Sequence, residues 1–192
     1  MGKWEEYYKK TYNKPECPLL ITVINEDKSI KNAIDLGCGV GNETIYLVKN
    51  NIQVLAIDAN LKEDYILSRL NEKEKSLLTL QKIRYEKVIL PNTDLIIANF
   101  SIPFCNPKHF DVLWQKIKEA INQNGYFLGQ IFGNRDSWNK SKSMTFKTKE
   151  EAINLLKGFD IILFEEKEFD EDNKRNKHWH YFNIIIKKDK GF

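Results

Sequence analysis

The chain has 192 residues, of which 42% are hydrophobic and 30% are charged, which suits one soluble globular domain and excludes a disordered chain. With 30 Lys and Arg against 27 Asp and Glu, the formal net charge of +3 argues against a polybasic protein dedicated to nucleic acids or membrane surfaces. The 3 cysteines show no CxxC spacing, and no apolar run is long enough to span a membrane. We therefore expect a cytoplasmic protein without a disulfide framework, a zinc site or a membrane segment.

Apolar runs of strand length alternate with helical patterns along the chain. The runs cover residues 33–36, 54–57, 77–83, 95–100, 126–132, 159–165 and 180–187. The clearest helix is predicted over residues 107–121, where apolar side chains recur three or four residues apart. Thr148 and Glu151 form a plausible capping box at the start of another helix.

This alternation predicts an α/β protein with a parallel sheet that is covered on both faces. The last two strands are joined by the polar loop 170–177 without an intervening helix, so we expect them to form an antiparallel hairpin. We expect a single domain over residues 1–192, in which residues 1–28 form a helical cap and residues 29–192 form the core. Ligands of such sheets bind beyond the carboxyl ends of the parallel strands.

A glycine-rich turn follows the first predicted strand. Residues 35–41 read Asp-Leu-Gly-Cys-Gly-Val-Gly, and glycines at such a place let the backbone turn sharply and approach a ligand closely. The second predicted strand ends in Asp58, whose carboxylate can accept hydrogen bonds from both hydroxyls of a ribose. In the alternative interpretation, the glycines only pack a helix on a strand and Asp58 caps the segment that follows.

The G-x-G-x-G spacing differs from the G-x-G-x-x-G of dinucleotide sites, and Asp35 would repel a pyrophosphate but attract an ammonium group. Residues 35–41 resemble the first motif of class I S-adenosylmethionine-dependent methyltransferases. Residues 99–105, 130–138 and 177–182 are similar to segments of small bacterial enzymes related to the tellurite-resistance methyltransferases. The resemblance covers nearly the whole chain.

The resemblance implies a Rossmann-like seven-stranded sheet with helices on both faces, an antiparallel last strand and an N-terminal helical lid. It also implies S-adenosyl-L-methionine as cofactor, held by Asp35, Gly37, Cys38, Gly39, Gly41, Asp58, Ala59, Asn99 and Phe100. The family commonly has an acidic residue after the third strand that meets the adenine. Arg84 or a neighbour stands there in this chain, so a backbone contact or an apolar side chain would have to replace that acid.

Methyl transfer from a sulfonium requires alignment of the acceptor and has no obligatory triad. Phe104, after the fourth strand, and Trp138, after the fifth, are candidates for contact with the acceptor. Arg135 could hold an anionic acceptor through its planar guanidinium. Alternatively, Arg135 and Asp136 neutralise each other in the loop.

His178 and His180 are the candidate catalytic bases, because a neutral imidazole can take a proton at pH 7. Two residues apart on a strand, they should share one face near the site, with Trp179 on the other face. A structural histidine at the junction of loop and strand is the alternative. We expect no metal, since His109 and this pair lack the spacing of soft or carboxylate ligands.

The N-terminal segment places Trp4, Tyr8 and Tyr12 four residues apart, on one face of a helix. Tyr8 and Tyr12 would either belong to a lid that contacts the substrate or form an aromatic stripe docked on the domain.

The leading hypothesis is methylation of a small molecule through oxygen, nitrogen or sulfur; the oligomeric state stays open. One alternative is an RNA or other macromolecular substrate bound by Lys140, Lys142, Lys147 and Lys149. Further alternatives are a non-catalytic cofactor-binding regulator and a nicotinamide-dependent oxidoreductase, of which the glycine spacing disfavours the second.

Overall fold

The computed structural model describes residues 3–12, 14–171 and 176–188, and for Lys3 and Trp4 it describes the backbone only. The helices are α1 (Lys3–Thr11), α2 (Pro18–Glu26), α3 (Asn42–Lys49), α4 (Glu63–Leu67), α5 (Glu72–Lys75), α6 (Pro107–Ala120) and α7 (Lys149–Leu155). The strands are β1 (Asn32–Leu36), β2 (Gln53–Asp58), β3 (Leu78–Lys82), β4 (Thr93–Ala98), β5 (Ile121–Gly133), β6 (Phe146–Lys147), β7 (Asp160–Asp170) and β8 (His178–Lys187). Two short 3-10 turns cover Tyr85–Lys87 and Ile102–Phe104.

The strands form one sheet in the order β3-β2-β1-β4-β5-β8-β7, with β6 paired to β5 beside this path. The pairs among β1 to β5 are parallel, whereas β8 runs antiparallel to both β5 and β7. All seven predicted strands are present, and the reversed last strand is confirmed. The eighth strand, β6, has two residues, which is too short for a periodic pattern to predict.

Helices cover both faces of the sheet, as expected for strands that are apolar on both sides. We call the two sides the α3 face and the α6 face. The core on the α3 face includes Leu20 of α2 and Leu47 of α3, and the core on the α6 face includes Phe110 and Trp114 of α6. Helix α2, which we grouped with the cap, therefore packs as part of the core.

Local signals explain where the main helices begin. The Thr148 side chain accepts a hydrogen bond from the backbone N–H of Glu151, and the Glu151 side chain accepts one from the backbone N–H of Thr148. These two bonds confirm the capping box. Asn106 caps α6, and Pro107 occupies its first turn. Helix α3 starts after Gly41, whose φ of 79° is left-handed.

Across the described residues, no helix is both long enough and apolar enough to cross a bilayer. Cys17, Cys38 and Cys105 are buried free thiols.

Candidate cofactor and acceptor site

The glycine-rich turn after β1 is packed tightly at two of its three glycines. A Cβ on Gly37 would lie 2.3 Å from the Cβ of Ser101, and a Cβ on Gly41 would lie 2.6 Å from Cγ1 of Ile66. At Gly39 the nearest atom is Cε1 of Tyr8, at 3.8 Å. All three glycines have positive φ, so a side chain would be strained at each of them. Close packing against Ser101 and Ile66 therefore requires glycine at positions 37 and 41, whereas Gly39 lies under Tyr8.

Asp58, at the end of β2, is oriented toward this turn. Its Oδ2 accepts the N–H of Gly39 at 3.0 Å, and its Oδ1 accepts the N–H of Asn60 at 2.7 Å. Each carboxylate oxygen has a second lone pair, so both can still accept a hydroxyl. Ala59 is exposed beside it. Cys38 is buried, and burial raises the pKa of its thiol, so it is a neutral filler in the turn.

Two further carboxylates are buried next to the turn. Asp35 accepts the hydroxyl of Thr44 at 2.5 Å, and burial followed by the charge of Glu43 raises the pKa of Asp35. Glu43, on α3, accepts the Asn99 side-chain amide at 2.9 Å and the N–H of Cys17 at 3.1 Å. Burial also raises the pKa of Glu43. Sequence reasoning missed Glu43, although an acid in the first turn of a buried helix was a signal.

Helix α1 covers the turn. Tyr8 is only 3% exposed, and burial followed by the charge of Asp58 raises the pKa of its phenol. The side chain of Trp4, which we expected on the same helix face, lies outside the described residues. Tyr8 therefore lies at the glycine-rich turn, whereas Tyr12 packs against Tyr65, with ring centroids 5.2 Å apart.

A single guanidinium ties α1 to the turn. Arg69 donates to the carbonyl of Val40, to Oδ1 of Asn42 at 2.8 Å and to the carbonyl of Tyr12 at 3.2 Å. It also lies 4.6 Å from the centre of the Tyr12 ring, and the Asn42 amide donates to the carbonyl of Thr11 at 2.8 Å. Arg69 joins three separate segments through one planar group, a contact that its position in the sequence does not indicate.

The loop after β4 is held in a strained conformation. Phe100 has a φ of +48°, a region that non-glycine residues rarely adopt. Its N–H donates to Oε1 of Gln130 at 2.8 Å, and Nε2 of Gln130 donates to Oδ1 of Asn183 at 3.2 Å. The Ser101 hydroxyl donates to the carbonyl of Leu36. Gln130 thus fixes the backbone of the residue that follows Asn99.

Aromatic side chains meet beside this loop, on the α3 face at the carboxyl edge of the sheet. We call them the aromatic cluster; its members are Phe100, Phe104, Phe132, Trp138, Trp179 and Tyr181. Phe104 and Trp138, the predicted acceptor contacts, have ring centroids 6.3 Å apart. Phe132, Trp179 and Tyr181 were missed.

A buried ion pair supports the cluster. Lys177 Nζ bonds the carboxylate of Asp136 and donates to the carbonyl of His178 at 2.9 Å. The same nitrogen lies 4.2 Å from the ring centres of both Trp138 and Trp179. Burial lowers the pKa of Lys177. Asp136 is therefore paired with Lys177, and the alternative pairing with Arg135 is not present.

His180 lies on the other side of the sheet. Its ring contacts that of Phe182, which belongs to the α6-face core, and a Cβ on Gly133 would lie 2.0 Å from its Nδ1. Nδ1 accepts the N–H of Arg135 at 3.0 Å, so the neutral ring carries its proton on Nε2 and donates it to Glu166, 3.0 Å away. Both nitrogens are engaged, which differs from the expected base.

Arg135 and His178 also belong to the α6 face. The Arg135 guanidinium forms salt bridges with the carboxylates of Glu168, at 2.6 Å, and Glu166, at 2.7 Å, and these contacts raise the pKa of Arg135. Asp170 and then Glu168 raise the pKa of His178. The two histidines share one face as predicted, whereas their odd-numbered neighbours Trp179 and Tyr181 belong to the aromatic cluster on the other face. The structure does not bring Arg135, His178 or His180 to the glycine turn.

Glu166, Glu168 and His180 place possible metal-ligand atoms within 4.8 Å of one another. The Arg135 guanidinium already bonds both carboxylates, and Lys149 adds a second cation to Glu166 at 2.9 Å. Protein cations therefore neutralise this group.

The segment after β3 differs from the family pattern as expected. Arg84 is exposed, whereas the N–H of Ile83 donates to the carbonyl of Asp58 at 3.2 Å. A Cβ on Gly37 would lie 2.6 Å from the hydroxyl of Tyr85, which places that hydroxyl at the turn. Ile83 and Tyr85 thus occupy the segment in which related methyltransferases commonly have an acidic residue.

The predicted basic loop is partly neutralised. Lys149 bonds Glu166, and Lys147 lies 3.8 Å from Asp111. Lys140 and Lys142 are exposed.

Comparisons with known proteins agree with this geometry. Two TehB proteins of Haemophilus influenzae, each named a probable S-adenosyl-L-methionine-dependent methyltransferase, are 30% identical over 132 residues. The match takes in 66% of this chain and 44% of those proteins, so the chain spans less than half the length of these relatives.

Solved structures share the fold. The crystal structure of TehB from Haemophilus influenzae superposes with a TM-score of 0.78 at 21% identity, covering 97% of this chain and 67% of that one. The Burkholderia thailandensis 1,6-didemethyltoxoflavin-N1-methyltransferase, solved with 1,6-didemethyltoxoflavin and S-adenosylhomocysteine, gives 0.66 at 13% identity, covering 90% and 77%. The family model of the tellurite resistance protein TehB matches residues 1–178. The resemblance noted in the sequence is thereby confirmed, and the chain belongs to the TehB family.

Proposed function

We propose that this chain transfers the methyl group of S-adenosylmethionine to a small-molecule acceptor. The observation that carries the proposal is the glycine turn itself, with Asp58 hydrogen-bonded to Gly39 and Tyr8 lying over it. The charges fit the cofactor as well. Asp35, Glu43 and Asp58 lie around the turn. Burial raises the pKa of Asp35 and Glu43, and the positive ammonium and sulfonium groups of S-adenosylmethionine would favour their ionised carboxylates when it binds.

In this proposal the cofactor is held at the carboxyl edge of β1, β2 and β4. Asp35 and Asn99 attract and orient the amino-acid end, and Asp58 accepts the ribose hydroxyls. The adenine lies by the segment that follows β3, against Ile83, since Arg84 is exposed. The cofactor supplies an electrophilic methyl group, which an acceptor lone pair takes in line while the C–S electron pair returns to sulfur.

The protein's part in that reaction is alignment and exclusion of water. Holding two reactants in line can contribute about 7–11 kcal/mol. The rigid loop at Phe100 and the cover made by Tyr8 serve these two purposes. We expect any proton on the acceptor to pass to bulk water before the acceptor binds. None of the three histidines is available as a base at the turn, since His178 and His180 lie on the α6 face and His109 is exposed on α6.

A small acceptor is favoured over a nucleic acid because Lys147 and Lys149, half of the candidate phosphate-binding loop, already face Asp111 and Glu166. We place the reaction in the cytoplasm, where buried free thiols such as Cys17 and Cys105 stay reduced.

Thermal unfolding in the presence of S-adenosylhomocysteine and, separately, of NADH tests the proposal. Ligand at a hundred times its dissociation constant adds about 2.7 kcal/mol, which in a chain of this size is roughly 5–10 °C. We expect the shift with S-adenosylhomocysteine only. Asp58→Ala should weaken that binding by about 1.5–3 kcal/mol, whereas Asp160→Ala, at an exposed position in β7, should leave it unchanged. A shift with NADH alone, or none with either ligand, contradicts the proposal.

A further inference from the structure

We propose that Asn183 and Glu165 are positioning residues for the cofactor site, because they fix the direction of a row of hydrogen bonds that holds the loop after β4. We call this row the amide ladder; it runs from the N–H of Phe100 through the side chains of Gln130, Asn183 and Glu165. The inference rests on the proposed function, since the ladder matters to activity only if this loop contacts the cofactor.

The register of three neighbouring strands builds the ladder. Gln130 of β5 is paired with Asn183 of β8, which is paired in turn with Glu165 of β7. Side chains two positions away on the same strands pack in the core of the α3 face: Leu128, Ile185 and Leu163. Opposed side chains on one face of a sheet can contact each other, and here Gln130 donates to Asn183 at 3.2 Å and Asn183 donates to Glu165 at 3.0 Å. The ladder therefore crosses the sheet from the loop after β4 to the outermost strand.

Each step of the ladder has one direction that satisfies its polar groups. A primary amide has an oxygen that accepts and a nitrogen that donates, and a half-turn of the group exchanges the two. The backbone N–H of Phe100 can only donate, so Gln130 must turn its oxygen toward Phe100 and its nitrogen toward Asn183. Asn183 must then offer its oxygen to Gln130, which leaves its nitrogen for β7. The Cys17 thiol, another partner of Gln130, is both a weak donor and a weak acceptor and so fixes no direction.

Glu165 ends the ladder with a group that accepts hydrogen bonds and donates none. Lys167 lies 2.6 Å from its other oxygen, and hydrogen bonds from Lys167 and then Asn183 lower the pKa of Glu165, which is therefore ionised at neutral pH. If the Asn183 amide turned over, its oxygen would face this carboxylate and its nitrogen would face that of Gln130. The Glu165 side chain is 43% exposed, so we expect it to orient Asn183 while contributing little to global stability.

The loop depends on this orientation because its backbone is strained. Phe100 has a φ of +48°, and the hydrogen bond to Gln130 offsets part of the cost of that conformation. A Gln130 amide that turned over would place its nitrogen against the N–H of Phe100, so that two donors would face each other. The same loop carries Asn99, an expected cofactor contact that bonds Glu43 beside the glycine-rich turn. A change of direction in the ladder therefore moves the loop at the cofactor site.

Variants that break or preserve the direction test this inference. We would measure the affinity for S-adenosylhomocysteine by calorimetry and the solvent exchange rate of the Phe100 amide by NMR. Asn183→Leu and Glu165→Lys should each weaken binding about threefold to tenfold and speed up that exchange, since the first removes the ladder and the second replaces an acceptor with a donor. Glu165→Gln keeps an oxygen that can accept, so it should preserve both quantities. Asn183→Asp combined with Glu165→Gln should also preserve them, because Gln130 keeps its acceptor and the new amide at position 165 can donate to the new carboxylate.

Asp160→Lys reverses an exposed charge on the same strand and should change neither quantity. If Asn183→Leu and Glu165→Lys keep the affinity and the exchange rate of the unmodified protein, or if the double variant loses both as Asn183→Leu does, the ladder does not position the loop and the proposed function stands. Should Asn183→Leu fail to fold, the comparison of Glu165→Lys with Glu165→Gln decides. If S-adenosylhomocysteine does not bind the unmodified protein, the proposed function fails and this inference fails with it.

Discussion

Replacing Gln130 with Met removes both hydrogen bonds of a buried side chain at nearly constant volume. Gln130 is 2% exposed, and its Oε1 accepts the N–H of Phe100 while its Nε2 donates to Asn183. Met cannot accept that N–H with comparable strength. The variant must therefore either leave a backbone donor unpaired or let the loop relax away from its left-handed conformation.

The cost follows from these two alternatives. A backbone N–H left unpaired out of contact with water costs about 1–3 kcal/mol. Relaxation of Phe100 recovers strain of a similar size, about 1–3 kcal/mol, but moves the loop that carries Asn99. We therefore expect the free energy of unfolding to fall by about 1–3 kcal/mol if the loop holds. If the loop relaxes, that loss is smaller and the affinity for S-adenosylhomocysteine falls instead.

Urea unfolding and calorimetric titration of S-adenosylhomocysteine measure the two quantities together. Gln115→Met, at an exposed position on α6, is the matched control and should stay within about 0.5 kcal/mol of the unmodified protein. A Gln130→Met variant that keeps both its stability and its cofactor affinity would refute the idea that Gln130 holds the loop.

Two further variants test the cofactor site. Arg69→Lys keeps the charge but cannot reach Val40, Asn42 and Tyr12 together, so it should weaken S-adenosylhomocysteine binding about as much as Arg69→Met does, and hydrogen exchange of the α1 amides should rise in both. If Lys preserves affinity and protection, charge alone suffices. Burial raises the pKa of Asp35, so its contribution to folding is complete at acid pH and is lost as the pH rises above about 4, because the unfolded chain then binds fewer protons. The melting temperature of Asp35→Asn should therefore exceed that of the unmodified protein by a margin that grows with pH, while its cofactor affinity falls; a margin independent of pH would mean that Asp35 is not the titrating group.

The sheet and the cofactor turn could be predicted because their signals are local. Each long strand is an apolar run of its own, and the residues from Asp35 to Gly41 are contiguous. The loop after β4 was placed correctly for the same reason. What the sequence could not indicate are contacts between distant segments, such as that of Arg69 with Val40 and Tyr12.

Gln130 and Glu43 are intermediate cases. A lone amide inside the apolar run 126–132 and an acid in the first turn of α3 are both out of place by composition, which marks them as having a buried partner. The sequence does not say which partner. That requires the β5–β8 register, which pairs Gln130 with Asn183, and the approach of α3 to Asn99.

The histidines show the limit of alternation. A period of two correctly places His178 and His180 together and Trp179 apart, but it does not say which set lies on the α3 face, beside the glycine-rich turn. The register of β8 against β5 decides this, since it pairs Tyr181 with Phe132 and so aligns the odd-numbered residues with the aromatic cluster.

The same register places alternate residues of β8 on opposite faces of the sheet, where they have different contacts. Phe182, Ile184 and Ile186 belong to the α6-face core, and His180 packs against Phe182, whereas Trp179 and Tyr181 lie on the α3 face and contact Phe100. We therefore expect substitutions of Trp179 and Tyr181 to change the preference of the proposed acceptor site while leaving the α6-face core in place. A shift of the strand by a single residue would exchange the two roles and lose both. We therefore expect diversification within this family, and any redesign of the proposed acceptor site, to concentrate on alternate positions of this strand.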